Sequence, residues 1–191
     1  AGDQNQSNLT AGTYTVSITD LNGCTIDTTI ILIEPTPLTQ TISSPTFPSG
    51  DNISCFSLSD GSIAYGPAGG SPVYTYVWTT VDGSGLSVAV EDQTGLTAGT
   101  YTVTMTDING CTIDTTITLV EPTLLSSSVT PFVYPGGFNV TGCNPDGSID
   151  LTATGGSPVY DYLWTPGGST TEDVSTLAAG TYSVTVTDIN G

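Results

Sequence analysis

Carboxylates and cysteines are the groups in this sequence whose types and spacing could do chemistry. The chain holds 18 aspartates and glutamates and four cysteines among its 191 residues, with no lysine, arginine or histidine. Three acids share one turn pattern, Asp-x-Asn-Gly: Asp20 with Asn22, Asp107 with Asn109, and Asp188 with Asn190. Glu34 and Glu121 each precede a proline. Calcium selects roughly six to eight oxygen ligands from such groups. Glu34, Asp107, Asn109, Glu121, Asp188 and Asn190 are therefore one candidate calcium set. The competing reading is that Asp and Asn simply make turns, since these loops hold only part of an EF-hand pattern. No other cofactor is expected. A carboxylate pair could hydrolyse a glycoside, but here acids recur in repeated turns, whereas a catalytic site is expected once. Cysteine and serine nucleophiles lack a histidine or lysine base, so the chain is not expected to be an enzyme. A net charge of -18 and a pI near 4.1 leave nothing to neutralise phosphates, which excludes nucleic acid and anionic membrane surfaces as expected partners. No apolar run reaches the roughly 18 residues of a membrane span. Residues 1–10 lack the charged start and apolar core of a signal peptide.

The elements that position these groups are announced by internal repetition. The string Leu-Thr-Ala-Gly-Thr-Tyr-Thr-Val at residues 9–16 recurs from Leu96 and, with small changes, from Leu177, each copy running on to an Asn-Gly turn. A second block, Asp60-Gly-Ser-Ile63 followed by Gly69-Gly-Ser-Pro-Val-Tyr-Thr-Tyr-Val-Trp78, recurs at Asp146–Ile149 and Gly155–Trp164. Glu34-Pro35-Thr36 and Glu121-Pro122-Thr123 read as linkers, because proline cannot continue a central ladder. The expected organisation is residues 1–34 as the C-terminal part of one module, 35–122 as a complete module, and 123–191 as a module lacking its last strand.

Within the complete module, Tyr101, Val103 and Met105 alternate with threonines, the period of a half-buried strand. Asp107-Ile-Asn-Gly110 then makes a hairpin turn, and Cys111 to Leu119 alternates again. Tyr74, Tyr76 and Trp78 share one face of another strand. Threonine and serine fill 56 positions, a bias that suits strands. Short strands with turn signals every ten residues or so, and no helical period, predict an all-β fold of tandem β-sandwich modules joined end to end. An immunoglobulin-like arrangement fits best. Trp78 and Trp164 stand where the core tryptophan of the third strand belongs, and Tyr14, Tyr101 and Tyr182 match a structural tyrosine corner. Val16, Val103 and Val184 replace the antibody cysteine, so burial alone must hold each core.

The string Leu-Thr-Ala-Gly-Thr-Tyr-Thr-Val-x-x-Thr-Asp-x-Asn-Gly-Cys, the Glu-Pro linker, Asp-Gly-Ser-Ile and Gly-Gly-Ser-Pro-Val-Tyr-x-Tyr-x-Trp together resemble SprB-type repeats. These fill the giant mobile surface adhesins of gliding bacteria and are similar to PKD-like, immunoglobulin-like stalk modules. The resemblance covers essentially the whole chain. It implies a secreted filament on the bacterial cell surface, exported by type IX secretion. Its partners would be neighbouring modules of the same chain and, through other parts of the parent protein, the motility or anchoring machinery. It also implies an Asp-Thr-x pattern for O-glycosylation at Thr28 and Thr115, although both threonines can face inward beside Ile26 and Ile113. Asn8, Asn52 and Asn139 begin N-glycosylation sequons, which a bacterial origin would leave largely unused.

Cys24 and Cys111 follow equivalent Asn-Gly turns, while Cys55 and Cys143 precede Asp-Gly-Ser. In an immunoglobulin-like module these loops lie at opposite ends, too far apart for the ~7 Å Cα limit of a disulfide. The arrangement favours staples between neighbouring modules, Cys55 with a cysteine following the Asn190-Gly191 turn and Cys111 with one preceding residue 1. A bond between Cys55 and Cys111 and free thiols are the alternatives. The functional expectation is a structural spacer; the alternative is a carbohydrate- or surface-binding module, which needs an aromatic row on a solvent face. Phe132 and Tyr134 fit neither pattern.

Overall fold

The computed structural model describes residues 5–142 and 144–191, and among them it contains strands and no helix. β1 (Gly12–Thr19) and β2 (Thr25–Leu32) form an antiparallel hairpin in which Tyr14 faces Ile30. Its apolar side chains are largely exposed, Ile18 at 61% and Ile26 at 66%, and no second layer covers them among the described residues.

The next six strands form two three-stranded antiparallel sheets around one core. One sheet orders β3 (Thr39–Ser43), β4 (Gly61–Ala68) and β6 (Gln93–Leu96); the other orders β5 (Thr75–Thr80), β7 (Gly99–Thr106) and β8 (Thr112–Leu119). These are the A-B-E and C-F-G orders of an immunoglobulin-like sandwich. Alternation makes the core: Tyr101, Val103 and Met105 of β7 are fully buried against Ile63 and Tyr65 of β4, Trp78 of β5, Leu96 and Leu119. Trp78 lies directly opposite Val103 in the ladder, so the valine packs where antibody domains place a cysteine. Tyr65 meets Tyr76 and Trp78 edge-on at 5.8 and 5.9 Å between ring centroids, the geometry aromatic quadrupoles prefer.

The polar groups buried in this core are hydrogen-bonded. Trp78 Nε1 donates to the Val90 carbonyl at 2.8 Å, and buried Gln93 bonds the backbone of Ser87 in both directions. The Tyr101 hydroxyl donates to the carbonyls of Thr97 and Ser84 and accepts from the Ser84 amide. Tyr14 and Tyr182 reach back four residues in the same way, to Thr10 and Ala178.

A second sandwich follows with five strands. β9 (Thr123–Pro131), β10 (Gly147–Gly156) and β12 (Val174–Leu177) form one sheet, β11 (Asp161–Thr165) and β13 (Ser183–Thr187) the other. Leu151, Trp164 and Val174 are its buried core, while Tyr182, Val184 and Val186 are only half-buried. Among the described residues β13 pairs with β11 alone, so its second edge is open. Phe132 and Tyr134 stack edge-on at 4.9 Å beyond the end of β9, and Phe138 is exposed in the same turn. None of these lies in a row on a sheet face.

Candidate functional site at the junction of the two sandwiches

The three Asp-x-Asn-Gly turns fold alike. In each, the aspartate Oδ1 accepts the amide of the asparagine two residues on: Asn22 at 2.8 Å, Asn109 at 2.9 Å and Asn190 at 3.0 Å. Cys24 and Cys111 amides bind the same oxygen in the first two turns, both at 2.9 Å. Gly23, Gly110 and Gly191 take positive φ while the asparagines do not. The asparagine side chain is thus free to act elsewhere. Asn109 Nδ2 donates to Ser71 Oγ at 2.7 Å, and the Ser71 amide donates to Asp107 Oδ2 at 2.9 Å. The amides of Ser71 and Cys111 hold the Asp107 carboxyl below the usual carboxylate range, by stabilising the charged form.

The Gly-Gly-Ser motif exists to allow this approach. A Cβ on Gly69, at φ +73°, would lie 2.0 Å from the Pro37 carbonyl oxygen, and one on Gly70, at φ +59°, would lie 2.8 Å from Asp107 Oδ2. Gly155 and Gly156 meet Leu124 and Asp188 in the same way. The motif therefore seats the start of each first strand and the turn carboxylate on one backbone corner.

In the second sandwich that corner touches the first. Asn190 Nδ2 donates to Ser157 Oγ at 2.8 Å and, across the junction, to the Ser54 carbonyl at 2.7 Å, with Ser49 Oγ at 3.5 Å. Asn190 Oδ1 is enclosed without a donor among the described residues, a cost the donated bonds offset. On the first sandwich's side, Glu121 Oε2 accepts the Ser57 amide at 2.7 Å, and Pro122 of the linker is buried. A cavity of about 290 Å³ remains, lined by Cys55, Phe56, Leu124, Gly156, Asp188 and Gly191 among others.

The remaining sequence candidates fall as follows. Asp107, Asp188 and Glu121 spend carboxylate oxygens on backbone amides, Glu34 is exposed, and no group of three or more Asp, Glu, Cys or His among the described residues is placed to hold a metal ion. Cys24, Cys55 and Cys111 are free thiols; Cys143 lies outside the described residues. A Cys55–Cys111 bond is ruled out by geometry. Cys111 precedes β8 and Cys55 lies in the loop whose neighbours Asn52 and Ile53 bind Val120, just past its other end, so eight strand residues separate them by roughly 27 Å. Thr115 stands on the half-buried face of β8 with Ile113 and Ile117, whereas Thr28 is exposed. Trp78, Tyr101 and Trp164 are buried, while Tyr14 and Tyr182 are half-buried.

Sequence reasoning missed Ser54, Ser71 and Ser157 as partners of these turns. The available signal was the serine of Gly-Gly-Ser, repeated in both blocks at a fixed place before the tryptophan. No helix among the described residues is long and apolar enough to cross a membrane. No curated protein and no solved structure matches the chain. The SprB repeat model does match, at residues 50–83 and 140–169, two segments that each span the loop before Asp-Gly-Ser, the Gly-Gly-Ser corner and the core tryptophan.

Proposed function

We propose that this chain is a run of structural spacer modules in a long secreted adhesin filament at the bacterial cell surface. SprB repeats occur in cell-surface adhesins, and the resemblance extends the reading to gliding motility and type IX export. Residues 35–122 make one complete module, with 1–34 and 123–191 belonging to its neighbours in the array. The observation that carries this reading is the junction bond from Asn190 to the Ser54 carbonyl: a turn at one end of a sandwich is held by the opposite end of the one before it. Together with the buried Pro122, it favours modules stacked in line over beads on loose linkers.

Cysteines extend the same logic. The Asn-Gly-Cys order of residues 22–24 and 109–111 puts a thiol just after the turn that meets Cys55, so an oxidised staple across each junction fits this arrangement. Calcium at the same ends would compete with backbone amides for the carboxylates of Asp107, Glu121 and Asp188. A polysaccharide-binding role lacks its aromatic row, because Tyr65, Tyr76 and Trp78 pack on one another.

Electron microscopy of the full-length parent protein tests the proposal. Strands of eight residues, as in β7 and β8, span roughly 27 Å and, with the loops at each end, predict an axial rise of roughly 35 to 45 Å per module in a thin filament. A compact globule, or beads bending freely at every junction, would overturn it.

A further inference from the structure

The connection from β5 to β6 is longer than the matching one from β11 to β12. The Trp78 amide bonds the Val88 carbonyl ten residues on, whereas the Trp164 amide bonds the Ser169 carbonyl five residues on. Both indoles then donate to the same place in the loop, at Val90 and Thr171, so the shortening falls just after the tryptophan. In the first sandwich the extra residues run along the outer edge of β6. The Ser84 amide donates to Thr97 Oγ1 at 2.9 Å and to the Tyr101 hydroxyl at 3.1 Å, and the Ser84 carbonyl accepts from that hydroxyl at 2.9 Å. Leu86 packs on the core. A Cβ on Gly85 would lie 2.2 Å from the Gly95 carbonyl oxygen, so only glycine passes β6 at this point.

The second sandwich keeps the wall without the segment. Val174 to Leu177 of β12 stand for Gln93 to Leu96 of β6, and Thr176 holds φ +60° where Gly95 holds +71°. A β-branched residue seldom takes this conformation; here it keeps the backbone shape that Gly85 runs past in the first sandwich. Beside β12 lies a cavity of about 260 Å³, lined by Trp164, Gly167, Thr171, Ser175, Leu177 and Tyr182 among others, and by none of residues 183–191. Among the described residues the Tyr182 hydroxyl bonds Ala178, as Tyr101 bonds Thr97, and makes no counterpart of the Ser84 bonds. The rim is acidic. Asp173 lines it, lending Oδ1 to the Leu151 amide at 2.9 Å, and Glu172 precedes it. The sequence holds no cation to balance them.

We propose that this cleft binds an extended peptide segment of another protein, laid along β12 as residues 83–87 lie along β6. The first sandwich defines the ligand's chemistry, because its own segment fills the same place. A glycine passes Thr176, the next residue puts an aliphatic side chain into the cavity as Leu86 does, and a backbone amide donates to the Tyr182 hydroxyl as that of Ser84 does to Tyr101. A lysine or arginine follows the aliphatic residue and meets Glu172 and Asp173, the charge complement that this chain cannot supply itself. Val174 stands in place of Gln93, which bonds the Ser87 backbone in the first sandwich, so at that end the ligand is held by apolar contact. A strand edge with one side-chain pocket is the strand-addition mode of peptide recognition.

The inference is independent of the spacer reading and is tested on the 191-residue chain. The probe is a synthetic peptide with the sequence of residues 82–88, Asp-Gly-Ser-Gly-Leu-Ser-Val, followed by a pair of lysines. In amide correlation NMR spectra of the isotope-labelled chain, titration should give saturable shifts confined to residues 169–182, with residues 93–101 unmoved. Leu86→Asp or Gly85→Ala in the peptide should weaken binding about tenfold or more. Omitting the lysines should weaken it at low salt and make no difference at high salt. In the protein, Tyr182→Phe should weaken binding about fivefold, and grafting residues 79–87 in place of 165–168 should abolish it. No saturable shift at millimolar peptide overturns the proposal. So do shifts indifferent to both peptide changes, shifts as large in the first sandwich as in the second, or a folded graft that binds like the parent.

Discussion

A tyrosine hydroxyl shows how context sets the worth of one hydrogen-bond pattern. Tyr101 is fully buried and its hydroxyl engages Ser84 and Thr97, whereas Tyr14 makes the same backward bond on an uncovered hairpin. Leaving buried partners unsatisfied costs about 1–3 kcal/mol, so Tyr101→Phe should lower stability by that amount in urea unfolding. Tyr14→Phe should change it by less than about 0.5 kcal/mol. Asp107 adds a pH dependence. Its amide partners depress its pKa, so its stabilising contribution is complete above the ordinary carboxylate value of about 3.9 and is lost as pH falls through its own lower value. Asp107→Asn should therefore unfold more easily than the parent at pH 7, with the gap closing in acid. Parallel urea titrations from pH 7 to pH 2 measure this, since the other acids are common to both proteins. A gap that is constant with pH would show that the carboxylate charge does not hold the turn.

The last strand is where one element decides the state of a whole sandwich. With β8 in place, Val103, Met105 and Tyr101 are fully buried; beside β13, which has no such neighbour among the described residues, Val184, Val186 and Tyr182 are half-buried. Leu119→Ala should consequently cost about 2–5 kcal/mol in the first sandwich, read as a loss of its urea midpoint, and leave the second untouched. Gly70→Ala forces a side chain into a left-handed position against Leu38 and Asp107 and should prevent the β3–β4 corner from closing, seen as loss of the near-ultraviolet signal of Trp78. These elements were largely legible in the sequence. Period-two runs such as Tyr101–Met105 declare a strand and its buried face together, and the repeats fix equivalent positions without any structure. The junction was less legible, because the partners of Asn190 are a backbone carbonyl and serines 33 to 141 residues away. Nothing in a local pattern marks a carbonyl as an acceptor for a distant turn. The glycine pair was visible as a motif, yet its purpose depends on the approach of Pro37 and Asp107, which only the folded chain brings near.

At the scale of the molecule the question is whether the two sandwiches move as one body. The linker between them is short and its Pro122 is buried, and one asparagine side chain bridges the sandwiches through Ser54. The bridge is small beside two hydrophobic cores, so removing it should alter geometry more than stability. Asn190→Ala is expected to leave the urea midpoints of both sandwiches within about 0.5 kcal/mol of the parent, because Asn190 lies outside either core. In small-angle X-ray scattering the same variant should show a broader distribution of end-to-end distances than the parent, measured at dilution where copies are separate. Ser54→Ala is the built-in control, since the acceptor there is a backbone carbonyl and survives the change; that variant should keep the parent's profile. If Asn190→Ala scatters like the parent, alignment rests on the buried proline and on Glu121 holding the Ser57 amide, and the stiffness of the array would lie in the linker rather than in the turn.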